Sequence, residues 1–119
     1  MDIYQQTILD YYKHPSCQGC LSGASKQAEA VNPLCGDSLT IYLAVAGTKI
    51  TKASWQGEGC VLSLAAADML AQYLTGKTLS EAQKINKAWM LTTLGINPSP
   101  SRLKCALLPL EVLSKLLTN

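Results

Sequence analysis

Apolar residues recur with a strand period in the first half of the chain. Over residues 39–45 every second residue is Leu, Ile or Val, which is typical of a β-strand with one buried face. Residues 46–48 predict a turn, and residues 49–56 predict a second strand that pairs with the first as an antiparallel hairpin. A weaker pattern over residues 25–31 predicts a third strand. The predicted strands therefore form one early block.

Helical spacing of apolar residues marks segments on both sides of this block. A first helix is predicted over residues 2–13, and it stops before Pro15, which restricts the residue that precedes it. The clearest helix spans residues 61–74 and ends at Thr75 and Gly76, a usual helix stop. One face of this helix is apolar, with Leu62, Ala66, Met69 and Tyr73.

The last third of the chain predicts two more helices. Thr78 and Glu81 have the spacing of a capping box, which indicates a helix start. The apolar face of that helix consists of Leu79, Ala82, Ile85 and Trp89. Residues 95–101 are rich in Gly, Pro and Ser and predict an irregular segment, after which a final helix is predicted with Pro109 in its first turn.

Because the strands precede most of the helices, the predicted fold class is α+β, a small antiparallel sheet with helices packed on one face. Residues 1–119 fit a single domain, and 48% hydrophobic residues suffice for a core without disulfides.

The net charge of +2 and the scattered Lys and Arg residues argue against a nucleic-acid partner. The sequence shows neither a signal peptide nor a membrane-spanning run, so a cytoplasmic protein without a membrane partner is expected.

Five cysteines are the main chemical feature of the sequence. An odd number cannot all pair internally, and thiols in a reducing compartment favour metal binding or reactive-thiol chemistry. Cys35 and Asp37 flank Gly36 just before the first clear strand, and an extended backbone would place both side chains on the same side. A thiolate beside a carboxylate is a suitable pair of ligands for zinc or iron.

Two further cysteines have settings that favour the thiolate. Cys60 directly precedes the helix over residues 61–74, where the helix dipole stabilises a negative charge. Cys105 is predicted to precede the final helix, and the cations Arg102 and Lys104 lie beside it in the sequence. The spacing is not that of a zinc finger, so the residues alone leave two interpretations open: a shared metal site, or three buried cysteines that act as small hydrophobic residues.

Three motifs contain these cysteines: Cys35-Gly36-Asp37, Gly57-Glu58-Gly59-Cys60 with Ser63, and Arg102-Leu103-Lys104-Cys105. In these motifs the chain resembles the IscU/SufU (NifU N-terminal-like) family of iron–sulfur cluster assembly scaffolds. The resemblance implies a three-stranded antiparallel sheet that carries helices. It also implies a metal or [2Fe-2S] cluster site made by Cys35, Asp37, Cys60 and Cys105, supported by Gly36, Arg102 and Lys104.

The family also implies partners. These are a pyridoxal-phosphate cysteine desulfurase of the SufS/IscS kind, which hands over a persulfide, and recipient apo iron–sulfur proteins. Lys104 stands where IscU-type members have histidine, and Arg102 and the Glu58 loop are more similar to SufU. The short interval from Cys60 to Cys105 is instead like IscU. Residues 97–102 do not reproduce the Leu-Pro-Pro-Val-Lys motif, so a dedicated Hsp70-type chaperone is not expected.

The resulting hypothesis is a scaffold or sulfur-relay protein, in which Cys60 or Cys105 accepts sulfur and zinc, iron or a transient [2Fe-2S] cluster is bound. Asp37 is expected to make the metal labile, so Asp37→Ala should give a more persistent cluster. One alternative is a zinc-dependent sulfur shuttle that never carries a cluster, and another is a structural zinc-binding adaptor. Cys17 and Cys20 lie outside the family pattern and leave open a dithiol redox pair, a second metal half-site or incidental surface thiols.

Overall fold

The structure is a computed structural model that describes residues 3–33 and 36–118, with side chains described for residues 6–33, 36–100 and 102–118. The described part of the chain folds into three strands and five helices. The strands are β1 (Lys26–Asn32), β2 (Asp37–Ala46) and β3 (Lys49–Glu58). The helices are α1 (Ile3–Lys13), α2 (Val61–Leu74), α3 (Leu79–Ala82), α4 (Lys87–Leu94) and α5 (Pro100–Leu117).

The strands form one antiparallel sheet in the order β1-β2-β3, as the hydrophobic pattern predicts. The β2–β3 connection is a tight turn in which Gly47 has φ 64°, a left-handed conformation that glycine adopts without a steric penalty. The register shifts between Ala44 and Val45, and such an irregularity increases local twist. The weak third strand predicted over residues 25–31 is confirmed as β1.

Helices α2 and α5 lie on the sheet and against each other, whereas α1 packs on α2. Alternate residues of the strands face these helices, which explains the period of two in the sequence. The fully buried side chains include Leu39, Ile41, Leu43, Ile50, Trp55, Leu70, Leu74, Leu108, Val112 and Leu116. Burying one side chain of this size stabilises the fold by about 1.5–3 kcal/mol. The α+β prediction with helices on one face is confirmed.

The segment after α2 differs from its prediction. The capping box is present, since Glu81 N–H donates to Thr78 Oγ1 at 3.1 Å and Thr78 N–H donates to Glu81 Oε1 at 3.0 Å. The single predicted helix is nevertheless divided into α3 and α4. Asn86 begins the second piece, because its Oδ1 accepts the N–H of Trp89 at 3.0 Å and so competes with a continuous helix.

Helix α5 begins well before the proline that was expected near its start. Pro100 takes the first helical position, where a missing N–H costs little, and Pro109 lies buried inside the helix. The prediction that Pro109 lies in the first turn of the last helix is therefore wrong.

Within the described ranges, none of the helices combines the length and the hydrophobicity needed to cross a bilayer.

Candidate metal centre

Three potential metal ligands meet at one end of the sheet. A carboxylate oxygen of Asp37 and the Sγ atoms of Cys60 and Cys105 all lie within 4.8 Å of one another. A tetrahedral zinc ion with bonds of about 2.0–2.3 Å separates its ligands by roughly 3.3–3.8 Å. Side-chain adjustments of about 1 Å would therefore bring all three donors onto one ion.

The strand register explains why Asp37 and Cys60 approach each other. Ser38 pairs with Glu58, so the start of β2 lies beside the end of β3. Shortly after Glu58 the chain reaches Cys60 and enters α2. On the other side of β2, Asn32 pairs with Asp37 across the β1–β2 connection. Asp37 and Cys60, which are far apart in sequence, are thus fixed at the same end of the sheet.

Gly36 and Cys35 belong to the β1–β2 connection. Gly36 has φ 74°, and its N–H donates to the carbonyl oxygen of Asn32 at 2.8 Å. Gly36 directly precedes Asp37, and its left-handed conformation is one that favours glycine. Cys35, the fourth predicted ligand, lies outside the described residues, so the structure gives it no position.

The carboxylate of Asp37 is buried in a way that suits a bound cation. The residue is 3% exposed, and its Oδ2 atom has no hydrogen-bond partner among the residues with described side chains. A buried carboxylate oxygen without a partner is costly, because it has lost water and gained nothing in return. A metal ion held with Cys60 and Cys105 would provide the missing interaction, so this donor set fits zinc or iron.

Cys60 occupies the N-cap of α2, at the helix start that the sequence predicts. Its Sγ accepts the N–H of Ser63 at 3.4 Å, and the hydroxyl of Ser63 donates to the Cys60 carbonyl at 3.1 Å. The side chain of Cys60 thus caps the first turn of α2, with its sulfur directed at a helix N-terminal N–H. Cys60 is only partly buried, whereas Ser63 is 1% exposed, so a reaction partner can reach the sulfur.

Cys105 does not precede a helix, which corrects the sequence prediction. It lies inside α5 and is 6% exposed, so a helix N-terminus does not stabilise its thiolate. The cations on the same helix, Arg102 and Lys104, are exposed. Of the two, Arg102 is the helical neighbour of Cys105, one turn earlier on the same face.

Arg102 also contributes to an apolar cavity that includes the first residues of α2. The cavity has a volume of about 450 Å³ and lies between α1, α2, α5 and the segment that precedes α5. Its lining residues are Ile8, Leu9, Val61, Leu62, Ile96, Pro98 and Arg102. Val61 directly follows Cys60, so one wall of the cavity adjoins the residue that carries the partly exposed thiol.

Gly59 leaves the space that the donors need. A methyl group at this position would lie 2.6 Å from Ser63 Oγ, 2.8 Å from Asp37 Cγ and 2.9 Å from Asp37 Oδ1. Real Cβ atoms do not come this close, so either the Asp37 carboxylate or Ser63 would have to move. A side chain at position 59 would therefore disturb the candidate metal centre through the potential ligand Asp37 and through Ser63, which contacts Cys60.

We expect Gly59→Ala to weaken metal binding by about 10- to 100-fold, the usual effect of disturbing groups that orient metal ligands. Anaerobic competition with a coloured chelator would measure the affinity. Gly47→Ala is the matched control, because it strains a distant turn glycine and leaves the donors in place. Equal metal affinity of Gly59→Ala and the unaltered chain would contradict this role for Gly59.

Cys17 and Cys20 lie away from the three donors and differ from each other. Cys17 packs against the core, and burial raises the pKa of its thiol; the Asp68 carboxylate adds to this rise, while Lys52 partly offsets it. Cys20 is exposed. A raised pKa means less thiolate at neutral pH, so Cys17 is the weaker nucleophile. The two thiols are thus not equivalent members of a pair.

Asp68 is an important residue that the sequence reasoning missed. It is fully buried in α2, and its carboxylate accepts hydrogen bonds from two other elements as well as from its own helix. The donors are Ser16 N–H at 3.1 Å, Cys17 N–H at 2.8 Å, Trp55 Nε1–H at 2.9 Å and Gln72 Nε2–H at 3.3 Å. An isolated acid among the apolar residues of α2 was the available signal. The carboxylate ties the segment after α1 to both α2 and β3.

Comparisons with known proteins agree with this architecture. Residues 3–119 match the NifU-like N terminal domain. The zinc-dependent sulfurtransferase SufU of Bacillus subtilis is 30% identical over 130 residues, which cover 95% of this chain and 88% of the relative. The iron–sulfur cluster assembly scaffold protein IscU 1 of Archaeoglobus fulgidus is 28% identical over 117 residues, which cover 98% of this chain and 76% of the relative.

A solved structure shows the same fold. The putative iron–sulfur cluster assembly scaffold protein for the SUF system from Fervidobacterium islandicum superposes with a TM-score of 0.81 at 28% identity, and the match covers 94% of each chain. The sequence match, the relatives and this structural neighbour agree over nearly the whole length. The chain therefore belongs to the NifU-like N-terminal domain family.

Proposed function

We propose that this protein takes part in iron–sulfur cluster assembly by binding metal at a site of three cysteines and one aspartate and by accepting persulfide sulfur from a cysteine desulfurase. The observation that carries the proposal is the group of Asp37, Cys60 and Cys105, whose ligand atoms lie within 4.8 Å of one another. Cys35 is proposed as the fourth ligand because it shares a short connection with Asp37. The relatives named as a zinc-dependent sulfurtransferase and as scaffolds support the same chemistry.

The resident metal is proposed to be zinc or iron, and a [2Fe-2S] cluster is the proposed cargo. Thiolate ligands suit all of these, and the single carboxylate makes the set less firmly binding than four thiolates would be. When bound, the ion would keep the thiols deprotonated and close together. Asp37, which is buried, and Cys105, which is 6% exposed, are the residues best placed to hold it.

Cys60 is proposed as the sulfur acceptor because it is partly exposed and its sulfur lies at the N-terminus of α2. Its lone pair attacks the outer sulfur of the desulfurase persulfide, the sulfur–sulfur bond of the donor breaks, and the donor cysteine leaves as a thiolate. The outer sulfur remains on Cys60 as a new persulfide. The N–H of Ser63, 3.4 Å from Sγ, stabilises the attacking charge. Cys105 is more deeply buried and is a less accessible acceptor.

The apolar cavity beside Cys60 supports docking of a protein partner. An exposed apolar cavity next to a reactive thiol is suited to an apolar segment of the desulfurase, and Arg102 on its rim offers a cation to the incoming persulfide anion. Recipient apo iron–sulfur proteins are the proposed second class of partner. A cytoplasmic location is part of the proposal, since unpaired thiols such as Cys20 and Cys60 persist in a reducing compartment.

Sulfur transfer from a desulfurase tests the proposal. The purified chain is incubated anaerobically with a pyridoxal-phosphate cysteine desulfurase and L-cysteine, persulfides are trapped by alkylation, and the peptides are identified by mass spectrometry. Extra sulfur on Cys60, lost in Cys60→Ser and retained in Cys20→Ser, is the expected result. If none of Cys35, Cys60 and Cys105 acquires sulfur, the proposed transfer function is wrong.

Reconstitution with iron under the same conditions distinguishes a scaffold, which builds the accepted sulfur into a cluster, from a shuttle, which passes the sulfur on. Visible absorption from a cluster that remains on the protein after desalting is expected for a scaffold. Retained zinc, faster desulfurase turnover and no cluster absorption would instead indicate a sulfur shuttle and would overturn the scaffold part of the proposal.

A further inference from the structure

The two edges of the sheet differ in how they are covered. At the β3 edge, Trp55 N–H donates to the carbonyl of Cys17 at 3.0 Å, and the carbonyl of Trp55 accepts the N–H of Gly19 at 2.7 Å. Further along the same edge, Ile50 N–H donates to the carbonyl of Lys77 at 2.8 Å. Two connecting segments of the chain therefore close the edge of β3.

The opposite edge is formed by β1, and its hydrogen bonds to β2 show which of its backbone groups face outward. The Leu43 carbonyl accepts the N–H of Ser25 at 2.8 Å, and Val45 N–H donates to Ser25 Oγ at 3.1 Å. The odd-numbered residues of β2 therefore face β1, where they pair with residues 26, 28, 30 and 32. Because bonding to one neighbour alternates along an antiparallel strand, the residues between these four point their backbone groups away from β2.

Gln27, Glu29 and Val31 are these intervening residues, and they are called the open edge. Their side chains are exposed, and that of Val31 is 53% exposed. Among the described residues, the backbone N–H and carbonyl groups of Gln27 and Val31 have no hydrogen-bond partner. A row of unpaired backbone groups at a sheet edge is a template for pairing with another strand.

One side chain interrupts this row. Lys115 Nζ, on α5, donates to the carbonyl of Glu29 at 2.7 Å. Glu29 is the middle residue of the open edge, so this contact takes a carbonyl that a pairing strand would need. Lysine is a residue with which natural sheets protect their edges, because an incoming strand must displace its hydrated charge.

A second copy of the chain carries the same open edge and can present it in the matching direction. Two β1 strands related by a twofold axis pair as antiparallel strands, with Gln27 of one copy opposite Val31 of the other. This register joins the outward backbone groups of both copies. It also places the two Glu29 side chains directly opposite each other, and like charges in that position disfavour pairing.

We propose that Lys115 guards the open edge and keeps the chain from pairing with a second copy through β1. The Lys115 ammonium holds the central carbonyl of the edge, and the Glu29 carboxylate adds repulsion between the copies. The contact involves none of the three donors of the metal centre, so the guard is separate from the proposed sulfur and metal chemistry.

Sedimentation velocity of the full-length chain over a range of concentrations tests the guard. All variants are compared at the same metal content and with a reductant, so that the exposed Cys20 does not link two copies. Lys115→Ala is expected to dimerise at about tenfold lower concentration than the unaltered chain, because each copy loses one competing hydrogen bond. Lys104→Ala is the matched control, since Lys104 is exposed on the same helix and has no hydrogen bond to β1 among the described residues.

Further changes in the Lys115→Ala background locate the contact. Glu29→Gln should lower the dimerisation concentration by about a further two- to fivefold, because it removes the like charges. Gln27→Pro should abolish the dimer, because it removes an outward N–H that β2 does not use. Val31→Lys, which alters only an exposed side chain, should also weaken the dimer.

Two results would overturn the proposal. One is a Lys115→Ala variant that stays monomeric over the concentrations at which Lys104→Ala does. The other is a Lys115→Ala dimer that neither Gln27→Pro nor Val31→Lys weakens, which would place the association on a different surface.

Discussion

Replacing Cys60 with serine is expected to weaken binding of zinc by about a hundredfold or more. Structural zinc sites bind with about 10–16 kcal/mol shared among four ligands, so loss of one thiolate removes several kcal/mol. The loss should be large here because Cys60 is both one of the three proposed ligands of the candidate metal centre and the N-cap of α2. Anaerobic competition against a coloured chelator at fixed pH gives the dissociation constant.

Cys20→Ser is the matched control for this experiment. It removes an exposed thiol that lies outside the group formed by Asp37, Cys60 and Cys105, so the affinity should not change. A Cys60→Ser variant that binds zinc as tightly as Cys20→Ser would show that Cys60 is not a ligand. The far-ultraviolet circular dichroism of both variants should match that of the unaltered chain at saturating metal.

The second large effect is expected from Asp68→Ala, which should lower the free energy of unfolding by about 3–5 kcal/mol. The substitution leaves buried N–H groups of Cys17 and Trp55 without their acceptor, and it opens space in the core. It also releases the segment after α1 from α2 and β3. Urea denaturation with the metal concentration held constant measures the change, since bound metal itself stabilises the fold.

Asp10→Ala serves as the control for Asp68→Ala. Asp10 is exposed and accepts a hydrogen bond from the Gln6 side chain at 2.9 Å, a helix-surface contact worth about 0.5 kcal/mol or less. A loss below about 1 kcal/mol for Asp68→Ala would contradict the role of its carboxylate as a structural hub.

The parts of the fold that could be predicted from sequence are those encoded by local patterns. The alternation along β2 and the apolar face and glycine stop of α2 reflect burial on one side, so the bounds of α2 came out as Val61–Leu74. The N-cap position of Cys60 follows directly from that helix start. The capping box at Thr78 and Glu81 is likewise a local signal, and the structure contains it.

The errors arose where two local signals compete or where tertiary contacts decide. Pro100 and Pro109 both suit a helix start, and the burial of Pro109 inside α5 could not be read from propensity. As a consequence Cys105 lies in the helix instead of before it. The side chain of Asn86 divides the predicted helix after α2, although Leu79 and Trp89 fit one apolar face.

The convergence of the donors could not be derived from spacing alone. It depends on the register that places Asp37 beside the end of β3, and on the packing of α5 against the sheet, which brings Cys105 to the same place. The motifs supplied this grouping only through the family resemblance. The tetrad with Cys35 stays a prediction, because Cys35 lies outside the described residues.

X-ray absorption at the zinc edge tests the central claim most directly, because it reports the atoms bound to the metal. Protein purified anaerobically with zinc is predicted to show three sulfur neighbours near about 2.3 Å and one oxygen near about 2.0–2.2 Å. Cys105→Ser should lose one sulfur neighbour, whereas Cys20→Ser should give the spectrum of the unaltered chain. A first shell without sulfur, or one that is unchanged in Cys105→Ser, would contradict a metal site built on Asp37, Cys60 and Cys105.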